Sequence, residues 1–297
     1  MKGAILRWLA AMLTLLFGRL SPGTAAKVGI VLGDIAYVLD RRHRRVARKN
    51  LRLAFGDTLS ESHAKKIIRE VFRNIGQTAV EFFQIPTLDY EKAAAAILQE
   101  HRERLDECLK LGKGVVLVAS HFGNWEMMAA AGAMAGYPIS AVARPLDDPD
   151  ADQIVRKIRE SSGLRIIERR SAYQVVKRLK RNEIVGILAD QNTRKGNVFV
   201  DFFGIKAATT AGPAMLALRT GAALVPVFML REGPGRHRLI IERPIEVVHT
   251  GDMHADTVTL TQKHVSKLEE YVRKYPSQWF WVHRRWRTRP HGEEPLY

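Results

Sequence analysis

The chain predicts an α/β fold: a mostly parallel central sheet flanked by helices, with apolar helices placed before it at the amino terminus. Three observations lead there. Short, almost wholly apolar runs such as 114–120 and 184–190 read as strands buried on both faces of a sheet. Helical stretches separate these runs, and strict alternation of strand and helix is the pattern of parallel α/β sheets. Finally, the runs end in polar residues: His121 after one, Arg144 after the next, and Asp190 with Gln191 after a third. Open parallel sheets build their sites beyond the carboxyl ends of the strands, so these residues are placed to converge.

The elements follow in order. Residues 8–17 are apolar between Arg7 and Arg19, well short of the roughly 20 residues a spanning helix needs. Ser21 and Pro22 suit the N-cap and first helical position of a second apolar stretch, 25–39, which Lys27 and Asp34 interrupt. Both stretches are read as membrane-embedded or interfacial helices of an uncleaved anchor. This divides the chain into an anchoring segment, 1–40, and an α/β domain, 41–297. The competing reading is a signal peptide, with Lys2 and Arg7 as its basic region and Gly23-Thr24-Ala25 as the cleavage site. Arg19 interrupts the approach to that site, and the basic cluster beyond favours cytoplasmic retention.

In the domain, 114–120 is a strand, Gly123 loosens the turn after it, and Asn124 caps a helix over 125–131. A strand at 139–144 precedes a helix that Asp148 caps and Pro149 opens, running to about Ser161. A short strand at 164–167, a helix from Ser171 to about Arg181 and the strand at 184–190 come next. A small-residue helix, 211–221, leads to strands at 223–230 and 238–248. The last helix, 255–275, is stopped by Pro276.

Composition narrows the function. With 297 residues, 46% of them hydrophobic, the chain is long enough for one large domain and an appended segment. The single cysteine, Cys108, excludes an internal disulfide and suits a reducing compartment. The ten histidines form no HExxH, no zinc-ligand spacing occurs, and Walker A and GxSxG patterns are missing, so neither metal nor cofactor is expected. The net charge of +16 calls for an anionic partner: nucleic acid, an anionic membrane, or an acidic protein. One basic cluster, between Arg41 and Arg52, directly follows the apolar segments. Another, Arg284, Arg285, Arg287 and Arg289, interleaves with Trp279, Trp281 and Trp286. That pairing of basic and apolar residues describes contact with anionic lipid better than a grip on a duplex, and single-stranded nucleic acid is the demoted alternative.

The most specific chemistry lies in His121-Phe122-Gly123-Asn124-Trp125-Glu126. A histidine titrating near neutrality takes a proton from a hydroxyl if a partner holds its ring in one tautomer, and Glu126 is placed to be that partner. For an isolated H-x4-E the competing reading is a structural histidine with a first-turn glutamate complementing the helix dipole.

That motif, Ala143-Arg144-Pro145-Leu146, Ala189-Asp190-Gln191, Val200-Asp201-Phe202-Phe203-Gly204 with Thr209, Thr210 and Pro213, and the segment 275–286 together resemble the bacterial lipid A late acyltransferases. This lauroyl/myristoyl transferase group belongs to the wider H-x4-D/E glycerolipid acyltransferase superfamily. The resemblance covers nearly the whole chain. It implies transfer of a fatty acyl chain from acyl carrier protein to a hydroxyl of a lipid A precursor, forming an acyloxyacyl ester at the cytoplasmic face of the inner membrane. It implies His121 as general base and Glu126 as the residue fixing its tautomer. Backbone amides around 122–124 or Arg144 would serve the oxyanion, or Arg144 would clamp a lipid phosphate. Asp190 and Gln191 would orient the sugar or support the base, unless they only form the turn. Phe202, Phe203 and Gly204 would line the acyl channel or pack in the core. Thr209 and Thr210 read first as cap residues. Trp279, Trp281 and Trp286 fill core, with Arg284 and Arg285 reaching phosphate or membrane. The other functions in view are an acyltransferase for another glycolipid or phospholipid, and a non-catalytic basic membrane-binding or nucleic-acid-binding protein.

Overall fold

The structure, a computed structural model, describes residues 2–297; Met1, the first residue of the 1–40 segment, lies outside them. The amino-terminal half holds α1 (Lys2–Gly18), α2 (Pro22–Leu39), α3 (Arg41–Phe55), α4 (Glu61–Gln84), α5 (Tyr90–Ala96), β1 (Ile97–Glu100), α6 (Arg102–Lys110), β2 (Val115–Ala119), α7 (Trp125–Met134) and β3 (Ile139–Ala143). There follow α8 (Pro149–Glu160), β4 (Arg165–Glu168), α9 (Ala172–Leu179), β5 (Ile184–Leu188), β6 (Asn197–Phe202), β7 (Ile205–Thr210), α10 (Gly212–Thr220), β8 (Ala223–Gly233), β9 (Arg236–Ile241) and α11 (Met253–Lys274).

Seven strands form one sheet in the order β1-β9-β8-β2-β5-β3-β4. The pairings are parallel except that of β8 with β9. β2 lies at the centre, and both its faces are covered. Val115, Leu117 and Ala119 pack with residues of α6 and α7, whereas Val116 and Val118 pack with α9, α10 and α11. Burial on both sides is why this strand reads as a continuous apolar run. A separate core unites α3, α4, α11 and the β6–β7 hairpin around Trp279, Trp281 and Trp286.

Several local expectations are corrected. The last strand ends at Ile241 rather than 248, because Pro244 has no N–H to continue the ladder. Ser171 precedes α9 without a side-chain capping bond. Thr209 and Thr210 are strand residues closing β7, although Thr210 Oγ1 does accept from the Gly212 amide at 3.3 Å. The β6–β7 hairpin escaped the sequence reading because its turn is Phe203-Gly204, both at positive φ (56° and 72°), instead of the Asn-Gly or Asp-Gly that advertises such turns.

The two amino-terminal helices do not stand apart from the domain. α2 lies along α4 with glycines at the contact: a Cβ on Gly76 would come within 2.2 Å of the Gly29 carbonyl oxygen. Asp34 of α2 accepts from Arg69 and Arg73 of α4 at 2.8–3.0 Å. The outward face of α2 exposes Val31, Leu32, Ile35, Val38 and Leu39. By length and composition α2 is the one described helix able to cross a membrane, and α1 is shorter. Gly76→Ala is expected to force α2 away from α4 at a cost of about 1–3 kcal/mol. Limited proteolysis should then cut the 18–40 region faster than in the parent; unchanged cleavage would contradict this packing.

Candidate active site

The site is assembled by strand register. Ala119 pairs with Leu188, so the residues two positions further on, His121 and Asp190, leave the sheet side by side. The His121 amide donates to Asp190 Oδ2 at 3.0 Å, and Nδ1 lies 2.8 Å from Oδ1. Trp279 Nε1 donates to the same carboxylate at 2.9 Å. Asp190 is buried. Burial pushes its carboxyl pKa up, but the His121 ring and amide and the Trp279 indole outweigh this and hold it below the ordinary carboxylate range. An ionised carboxylate only accepts, so His121 Nδ1 donates to it and Nε2 is the ring nitrogen left to face the cavity. Gln191 Nε2 lies 3.5 Å from that Nε2.

The turn after His121 is stitched to the carboxyl-terminal segment. Gly123 sits at φ 55°, and a Cβ there would fall 1.8 Å from the Met229 carbonyl oxygen, so no side chain fits. Its amide donates to Gln278 O at 2.9 Å, and the Phe280 amide donates to His121 O at 3.1 Å. Asn124 caps α7 through Met127 N at 3.0 Å while its Nδ2 donates to Glu81 Oε2 at 2.6 Å. Glu81 in turn accepts from Arg231 at 2.5 and 2.7 Å. Burial pushes the Glu81 carboxyl pKa up, yet His237 and Arg231 bring it down to about 2.

Glu126 has another partner. Arg159 of α8 grips it with two bonds of 2.9 and 2.7 Å, and Trp125 Nε1 donates to it at 3.2 Å. Among the described residues no hydrogen bond joins Glu126 to His121, and His121 Nδ1 is bonded to Asp190. The expectation that Glu126 fixes the tautomer is therefore corrected in favour of Asp190. Glu126 projects from the first turn of α7 toward α8, whereas Asp190 emerges on the strand next to His121.

His121 and Glu126 both line a cavity of about 740 Å³ with largely aliphatic walls. Arg144, Gln191, Asn192 and His283 also line it. Arg144 is exposed and paired with Asp147. His283 Nε2 accepts from the Asn192 amide at 3.1 Å, and burial lowers its pKa to about 4, which keeps it neutral. The amides of Phe122 and Gly123, expected near the oxyanion, are already bonded to Ser120 O and Gln278 O.

Five expected residues lie elsewhere. Phe202 and Phe203 pack among Trp279, Trp281, Trp286 and Phe55, and Gly204 completes their turn, because the hairpin folds onto α3 and α11 instead of over the cavity. Arg284 lies over the Tyr297 ring. Arg285, expected at a phosphate or membrane, is fully buried and donates to Ala208 O at 3.0 Å and Thr209 Oγ1 at 2.5 Å. The sequence reading missed Arg159, which no motif marks, and the part Trp279 plays in holding Asp190.

A histidine held by a buried carboxylate at the edge of a parallel sheet faces a largely aliphatic cavity, a layout that fits an enzyme taking an apolar chain. The family profile described as bacterial lipid A biosynthesis acyltransferase matches residues 1–288. The lipid A biosynthesis palmitoleoyltransferase of Escherichia coli K12 is 30% identical over 276 residues, covering 91% of this chain and 87% of the relative. The lauroyltransferase of the same strain is 29% identical over 298 residues, covering 98% and 94%. A phosphatidylinositol mannoside acyltransferase of Mycolicibacterium smegmatis is 30% identical over 212 residues, covering 69% and 67%. The chain belongs to the bacterial lipid A biosynthesis acyltransferase family, and it is an acyltransferase.

Proposed function

We propose that the protein moves a fatty acyl chain from acyl carrier protein to a hydroxyl of a lipid A precursor, the 3-hydroxyl of an acyl chain already in place. The observation that carries this is His121, with Nδ1 held by Asp190 and Nε2 beside Gln191 at an aliphatic cavity. Nε2 takes the proton of the acceptor hydroxyl as its oxygen attacks the thioester carbonyl. Asp190 stabilises the imidazolium that forms. The tetrahedral oxyanion receives a hydrogen bond from the Gln191 carboxamide beside Nε2. On collapse the carbon–sulfur bond breaks, the imidazolium returns its proton to the thiolate, and the ester is released with no covalent enzyme intermediate. The Glu126–Arg159 pair ties α7 to α8 and fixes the wall of the cavity next to the base.

The charge excess suits both an acidic carrier protein and a phosphorylated lipid in an anionic leaflet. The exposed apolar faces of α1 and α2 carry the protein on the cytoplasmic side of the inner membrane, with α3 laying its arginines on the headgroups. Arg44 donates to the carbonyls of Tyr37 and Val38 and so closes the end of α2, but Arg41 and Arg45 are exposed. Arg41→Glu with Arg45→Glu is expected to lower recovery on anionic vesicles in a salt-dependent way; undiminished recovery would sink the docking role of α3.

Another glycolipid acceptor is the second reading, favoured by the similarity to the phosphatidylinositol mannoside enzyme. Purified protein given acyl carrier protein thioesters with each acceptor separates the two. A new ester on the phosphorylated glucosamine acceptor supports the main reading; transfer confined to the mannoside would overturn it.

A further inference from the structure

We infer that the cavity holds two alkyl chains, one on each face of the sheet: the donor's beneath α7, and the acceptor's own acyl chain between α9 and α10. This rests on the proposed acyl transfer and specifies how that site takes its two substrates. Alternate residues of a strand face opposite sides of a sheet, and both sides of the same strands line the one cavity. On β5, Ile184, Gly186 and Leu188 belong to one face and Ile187 to the other; on β3, Ile139 and Ala141 stand against Val142. The two arms meet where these strands end, at His121 and Gln191.

The arms differ in chemistry. The first runs under α7 to Leu105, Tyr137, Leu239 and Ile241, and Leu117 on its floor lies four residues behind His121, about 13 Å at strand rise. Apart from Gln99 its far walls are aliphatic or aromatic, which suits an alkyl tail alone. The second is walled by Val175, Val176, Met215 and Leu216; Arg169, just beyond the carboxyl end of β4, lies at its mouth, and Arg219, in the last turn of α10, lies at its far end. Both arginines are exposed; Arg169 donates to Thr193 Oγ1 at 3.1 Å. A basic mouth on an aliphatic arm fits a chain tethered to a phosphorylated headgroup.

The reaction demands this division. A hydroxyl borne on an acyl chain has an alkyl tail beyond it, and bringing that hydroxyl to Nε2 brings the tail too. The thioester carbonyl arrives at the same point with its own tail, so two tails must diverge from His121.

The test uses full-length protein with carrier-protein thioesters and 3-hydroxyacyl acceptors, each in a series of chain lengths. A Cβ on Gly132 of α7 would touch Ile139 Cδ1 at 3.4 Å, so Gly132→Met fills the first arm, and replacing a helix-interior glycine does not weaken the helix. It is expected to shorten the preferred donor and cut kcat/KM for the longest accepted donor by about tenfold or more, leaving the acceptor profile unchanged. Leu216→Trp, or Val176→Phe should the first fail to fold, is expected to raise acceptor KM by about tenfold and leave the donor profile unchanged. Reversed effects, or both profiles moving together in either variant, would overturn the two-arm assignment while leaving acyl transfer standing. A parent enzyme that transfers to no acceptor would instead overturn the acyl-transfer reading and this inference with it.

Discussion

Acyl transfer is expected to fall about a thousandfold or more in both His121→Ala and Asp190→Asn, with circular dichroism of each variant unchanged. Removing the imidazole removes the group that takes the hydroxyl proton. The asparagine is subtler, since it keeps the volume and one acceptor oxygen of Asp190. It loses the charge that stabilises the imidazolium, and its amide can donate to Nδ1, which moves the ring proton to Nε2 where the base is needed. Glu126→Gln leaves the His121–Asp190 bond in place and weakens only the grip of Arg159. Its loss is expected to be smaller, about ten- to a hundredfold through a displaced α8. Turnover assays on the three purified variants decide the matter. An Asp190→Asn enzyme with near-normal turnover beside an inactive Glu126→Gln would return the orienting role to Glu126.

Glu81→Ala is expected to cost about 3–5 kcal/mol of stability, because it leaves the Arg231 guanidinium buried without a counter-charge and the Asn124 amide without its acceptor. Activity should fall with it, since Asn124 caps the helix that follows the His121 turn. The pH dependence has a definite sign. The Glu81 carboxyl is depressed from 4.5 to about 2 in the folded protein, so its contribution is present above about 4.5 and lost as pH falls toward 2. Urea unfolding of the parent should therefore weaken across that interval, and Glu81→Gln should flatten this part of the profile. An equally steep acid loss in Glu81→Gln would place the sensitivity in other groups.

Much of the fold could be read along the chain. The central strand, the Asn124 and Asp148 caps and the Ser21-Pro22 opening of α2 all depend on neighbours in sequence, and all appear where expected. Residues 56–113, holding α4 to α6 and β1, carry no motif that marks their chemistry. The hairpin carries no readable turn signal because its turn is Phe203-Gly204, and its aromatics belong to a core separate from the cavity.

The pattern of the chain alone gives an α/β sheet with a chemically capable histidine at a strand exit, and a strongly basic protein. Such features arise from local backbone preference and from composition. Which carboxylate serves that histidine was decided by the pairing of β5 on β2, a contact between segments 69 residues apart. Glu126 is close in sequence but turns with α7 toward Arg159, and Asp190 is distant in sequence but adjacent in register. The depth of the cavity was likewise set by the packing of α7, α9 and α10 on opposite faces of one sheet, because a void belongs to no residue and exists only once its walls have met.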